Sequence, residues 1–256
     1  MPETTLPNST PPPLPTPLPS SLPSAPRYSL LQEIELLLRN RPKFFTELMD
    51  GQENARKIRA MMLYSAAFFA VYGAVMGVDH SLAQMLSSAI KLPFLFLITL
   101  IITLPTLFFF NTFFEASLTL SQNLALILSA ITMTSIVLLA FAPVVVFFLI
   151  STSQYQFFKL LNVSIFIVAG LIGIRQLTLG MKMLTMTDRV GVTIRRRLLF
   201  LWMLLYGFVG SQMAWGLRPF FGAPGLPFEL FRGFGGNFYT NVLASLGEIL
   251  GFFIVR

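Results

Sequence analysis

The sequence predicts an all-α fold: a polytopic bundle of about five transmembrane helices, preceded by amphipathic helices and a disordered N-terminal tail. Three observations carry this. Of 256 residues, 55% are hydrophobic and 11% charged, where a soluble domain carries about a quarter charged residues, and the mean hydropathy is +0.73. Uninterrupted apolar runs recur at lengths near the roughly 20 residues a helix needs to cross a bilayer. The basic residues gather in two blocks beside those runs, residues 27–59 and 182–197.

Residues 1–26 hold most of the 17 prolines, interleaved with Ser, Thr and Leu. Few backbone donors and no apolar period leave this segment without a core to build, so polyproline II or disorder is expected. It lacks a positive region followed by an apolar run and is not read as a cleavable signal. Deleting residues 1–26 should therefore leave membrane insertion and melting temperature unchanged, and a large drop in melting temperature would show that the tail packs.

Residues 27–59 form the next unit. Leu30, Leu31, Ile34, Leu37 and Leu38 share one broad helical face, while Glu33, Glu35 and Arg39 lie on others. Pro42 interrupts the pattern, and Phe44, Phe45, Leu48 and Met49 begin a second short amphipathic piece. Too short and too charged to span, the region reads as interfacial helices or helices packed beneath the membrane domain, with a soluble helical segment free of lipid contact as the equal alternative.

Residues 60–215 carry the five spans, placed at about 61–78, 92–114, 124–150, 157–179 and 198–215. Residues 216–256 combine an aromatic Gly- and Pro-rich loop with an apolar segment, 237–255, that contains Glu248 and reads equally as an interfacial helix or a sixth span. Basic residues set the orientation. Seven lie before the first span and five between the fourth and fifth, whereas Lys91, Lys159, Arg218 and Arg232 fall on the other side. The N-terminus is accordingly expected in the cytoplasm, in a bacterial or cyanobacterial type of membrane.

Little of the sequence points to catalysis. Cysteine is absent, which removes disulfides, thiolate nucleophiles and Cys-based zinc sites. His80, the single histidine, stands beside Asp79 at the end of the first span and is read as a wet helix end, without the further ligands a metal site needs. No nucleotide loop, zinc-protease helix or nucleophile elbow is found, and the Gly233, Gly235, Gly236 cluster reads as a link. No catalytic, metal or cofactor site is assigned. The charge of +7 is explained by topology and anionic lipid, and a nucleic-acid partner is not expected.

Structural readings are sharper. Gly73 and Gly77 form a small-xxx-small spacing for close helix packing within the chain, with homo-oligomer contact as the alternative. Ser129, Thr132, Thr134 and Ser135 read as polar glue in the third span. Glu115 and Arg175 are expected to pair at the cytoplasmic ends of the second and fourth spans. In the outer loop, Arg218, Phe220, Phe221, Phe228 and Phe231 form a candidate surface for a membrane partner, or the outer rim of the bundle.

The span layout over about residues 60–215, with Lys91-Leu92-Pro93-Phe94 and Phe158-Lys159-Leu160-Leu161-Asn162, resembles the Yip1-like five-span membrane proteins. That resemblance implies a cytoplasmic N-terminal region ahead of a compact bundle. The Asp-Leu-Tyr-Gly-Pro run of its eukaryotic members is missing here, so their trafficking role is not implied. The functional expectation is a non-enzymatic scaffold, assembly factor or accessory subunit that meets the bilayer and other membrane proteins. A small transporter or channel is the alternative.

Overall fold

The computed structural model describes residues 29–51, 53–113, 119–152, 154–184, 192–222, 225–233 and 236–250. Among these residues every regular element is a helix. The chain opens on two short helices, α1 (Leu30–Arg39) and α2 (Arg41–Met49). Ser29 starts α1 with a capping box: its hydroxyl accepts from Gln32 N at 3.3 Å while Gln32 Oε1 accepts from Ser29 N at 2.6 Å. Asn40 then ends α1 and caps α2, accepting from Lys43 N at 3.3 Å. Pro42 sits in the first turn of α2, where a missing N–H costs nothing, so it initiates the second helix as it divides the two.

Five long helices follow: α3 (Asn54–Gly77), α4 (Leu82–Phe113), α5 (Leu120–Ser151), α6 (Tyr155–Leu184) and α7 (Val192–Gly216). Each contains a stretch long and apolar enough to cross a membrane, and the chain is a multi-pass membrane protein. The last helix among the described residues, α8 (Phe238–Ile249), has 12 residues, about 18 Å at 1.5 Å per residue, and the rest of the expected segment, 251–255, lies outside the described residues.

The long helices alternate in direction. At one end α2 lies across α5 and α6: Gln122, in the first turn of α5, donates to Leu48 O at 3.4 Å and Met49 O at 3.0 Å, and Phe45 abuts Gly180 near the close of α6. At this end too Trp202 Nε1 of α7 donates to Thr103 O of α4 at 3.0 Å. At the opposite end Lys159, near the start of α6, donates to Asn241 of α8 at 3.0 Å. The basic residues of α1, α2 and the start of α3 therefore share an end with Lys182 and Arg197.

Packing runs in a chain, α7 on α4, α4 on α3, α3 on α5 and α5 on α6. On α3 the Gly73 and Gly77 faces meet the backbone of α4: a Cβ on Gly77 would lie 2.6 Å from Gln84 O, and one on Gly73 would overlap Ser88 O. The small-residue spacing is thus spent on close packing inside the chain. In α5 the hydroxyls bond back to their own helix, Thr132 to Leu128 O at 2.8 Å and Thr134 to Ala130 O at 3.0 Å. Each also reaches a neighbouring helix, at Met61 O (3.4 Å) and Ala169 O (3.5 Å).

The largest boundary difference from the sequence expectation lies at the start of the second span. The second span was expected from about residue 92, yet α4 begins at Leu82 and holds Pro93 in its interior. The added turns are polar because Gln84, Ser88 and Lys91 are buried against the loop after α7. A hydropathy pattern reads such side chains as solvent-facing.

A lateral cleft as the candidate functional site

Because α7 packs on α4 and α6 packs on α5, with no substantial contact between α6 and α7, the bundle is open along one side. The opening is a cleft of about 1120 Å³ with α4 and α5 as its floor. Its middle is apolar, formed by side chains such as Phe96, Ile131, Phe166, Ile167, Met203 and Tyr206. Gly170 and Gly207 line its two walls, and a Cβ on either would meet nothing within 4 Å. These glycines therefore leave space open, in contrast to Gly73 and Gly77, which close it.

The α8 end of the cleft is roofed and polar. Residues 217–222 and 225–233 fold back over α4, where Gln84 Nε2 donates to Pro219 O at 2.9 Å and Ser88 to Phe220 O. Lys91 donates to Pro219 O at 3.3 Å and to Leu230 O, and His80 Nε2 bonds Leu226 O at 2.9 Å. The Lys91 side chain is buried in this arrangement, and its ammonium replaces hydration with main-chain carbonyls. Lys91→Met should free these carbonyls and loosen the loop at a cost of about 2–4 kcal/mol. Faster hydrogen exchange at residues 219–231, with the spans still protected, is the expected readout.

Beneath this roof the ionisable groups on the cleft wall are cations and phenols: Lys159, Arg218, Arg232, Tyr155 and Tyr239. Arg218 stacks on the Trp215 ring, 3.3 Å from its centroid, and donates to Gly233 O at 2.7 Å. Arg232 N donates to Arg218 O at 3.1 Å, which joins the two residues through the backbone. Burial, with the Arg232 charge adding to it, holds the Arg218 guanidinium below its usual range. Two acids stand close by, outside the lining. Glu229 accepts from Arg232 Nε at 2.9 Å and Glu248 from Gln156 Nε2 at 2.8 Å.

Of the residues expected to form an outer docking surface, Phe220 and Phe221 turn inward, and Phe221 meets the rings of Tyr155 and Phe158 edge-on at 5.9 and 5.7 Å. Phe228 and Phe231 stay outside, 41% and 58% exposed. His80 serves as a staple between the α3–α4 turn and the loop. For the Glu115–Arg175 pair, Glu115 lies outside the described residues and Arg175 is exposed on α6. Compared with known families, curated proteins and solved structures, the chain matches none. The cleft is therefore read from its own geometry. Sequence reasoning did not find it, nor Lys91 as an anchor. The signal for the anchor was present in the spacing of Gln84, Ser88 and Lys91, three polar residues on one face of a helix.

Proposed function

We propose that this multi-pass protein is a non-enzymatic accessory or scaffold protein of a bacterial-type membrane. Its working part is the lateral cleft, which holds an amphiphilic, lipid-like guest. The observation that carries this reading is the shape and chemistry of the cleft: open sideways along α6 and α7, mostly apolar through its middle, and charged only at its α8 end. A guest with apolar chains and a polar head matches that order of surfaces.

The basic residues at the α1–α2 end, Arg39, Arg41, Lys43, Arg56 and Lys57 with Lys182 and Arg197, support a cytoplasmic N-terminus. The roofed end of the cleft then faces away from the cytoplasm. Such a guest can bridge the bundle to a neighbouring membrane protein, which is how a scaffold role and a lipid site combine.

The test is lipid retention. Protein purified in mild detergent should carry lipid, and Gly207→Trp, which fills open space on a helix, should lose most of it while keeping its melting temperature. Equal retention by both proteins would contradict the reading. A small transporter or channel is the competing assignment, favoured by the polar end of the cleft. Solute flux in reconstituted vesicles that Gly207→Trp abolishes would establish it instead.

A further inference from the structure

We infer that the α8 end of the cleft selects a lipid with an anionic, phosphate-bearing head, held by Arg232, Arg218 and Lys159. The inference rests on the reading of the cleft as a lipid site and adds the charge of the guest. Three observations carry it.

The first is sign. Every group of fixed charge that lines the cleft among the described residues is a cation; the nearby carboxylates, Glu229 paired with Arg232 and Glu248 acting on the Lys159 charge, are not part of the lining. The Arg232 N to Arg218 O bond joins the two arginines through the backbone, and the charge of Arg232 acts on the Arg218 guanidinium, an arrangement that an anion near both relieves. Lys159 contributes from the opposite wall, its ammonium on the neutral Asn241 Oδ1 at 3.0 Å.

The second is depth. The apolar stretch of α7 runs 20 residues, Arg197–Gly216, or about 30 Å, the thickness of the hydrocarbon core. Arg218 follows two residues later, at the level of the lipid phosphates. Trp215, Tyr155 and Tyr239 stand around it, as aromatic side chains do at a membrane interface.

The third is continuity. The cations and the apolar middle line one cavity. An anion bound there has an apolar channel leading from it into the bilayer, which a free inorganic anion would leave empty.

Native mass spectrometry of the full chain can test this, with phosphatidylglycerol and phosphatidylcholine of identical acyl chains added in equal amounts. Wild type should prefer phosphatidylglycerol. Arg232→Gln and Lys159→Gln should each weaken that preference about fivefold, the effect of one basic charge near a membrane surface. Glu229→Gln frees Arg232 from its carboxylate and should strengthen the preference, an effect that misfolding would not produce. Retention of both lipids alike, unchanged by these substitutions, would overturn the anionic head and leave the cleft reading standing. Absence of bound lipid in wild type would remove both. Displacement of phosphatidylglycerol by millimolar inorganic phosphate would show a soluble-anion site and overturn the lipid assignment.

Discussion

Gly77→Leu is expected to lower the stability of the bundle by about 3 kcal/mol or more, at the upper end of the cost of overpacking. At Gly77 the obstacle is backbone: an added Cβ would stand 2.6 Å from Gln84 O and 2.9 Å from Met85 Cα. Main chain on a packed helix has no rotamer by which to yield, so α3 and α4 must separate along their length. Inside a bilayer the contact between helices comes largely from such close packing, because lipid tails are as apolar as the side chains they would replace. Gly170→Leu is the matched control. It makes the same chemical change on a helix but projects into open space, and its melting temperature in detergent should stay within a degree or two of wild type. If the two substitutions lower the melting temperature equally, the distinction between closing and opening glycines is wrong.

Lys57→Met should cost about as much, on the order of 3–5 kcal/mol, because it strands buried charge. Lys57 is 2% exposed and its ammonium lies 3.0 Å from Glu47 Oε2 and 3.4 Å from Glu33 Oε2. The contact with Glu33 is one of charge without hydrogen-bond geometry, since Glu33 Oε2 accepts no hydrogen bond. Glu33 is itself fully buried, and its other oxygen accepts from Arg56 at 2.8 and 3.1 Å. The cluster ties α1 and α2 to the start of α3, so losing the ammonium should release the short helices before the spans. Limited proteolysis within residues 30–50, with the spans protected, is the expected pattern. Restored resistance in Lys57→Met combined with Glu33→Gln and Glu47→Gln would show that uncompensated charge is the cause.

Much of the fold is local and therefore legible. Apolar run length places the five spans, the Ser29, Asn40, Thr119 and Asn237 caps are short-range signals at the starts of α1, α2, α5 and α8, and Pro42 marks the α1–α2 division. Gly73 and Gly77 face the backbone of α4. What stayed hidden depends on partners far away in the chain. The spacing of Gln84, Ser88 and Lys91 marks a polar helix face, but nothing in it names the carbonyls that Lys91 meets 128 and 139 residues later. The cleft is harder still, since it arises because two helices that each look like ordinary spans do not pack on one another. The same glycine signal has opposite meanings at positions 77 and 207, and only the neighbouring backbone distinguishes them. The outer loop was read as aromatic docking surface or rim. Its first two phenylalanines instead help build the cleft wall.

The most direct measurement is photo-crosslinking with a phosphatidylglycerol that carries a diazirine on one acyl chain, followed by peptide mapping of the adducts on wild type and on Gly207→Trp. A guest held in the cleft should place adducts on its walls, at residues such as Val163, Ile167 and Met203, and Gly207→Trp should remove them while sparing the general lipid-facing background. Adducts spread evenly over outward-facing residues such as Ile101, Phe147 and Ile150, unchanged by the substitution, would contradict a lipid site between α6 and α7.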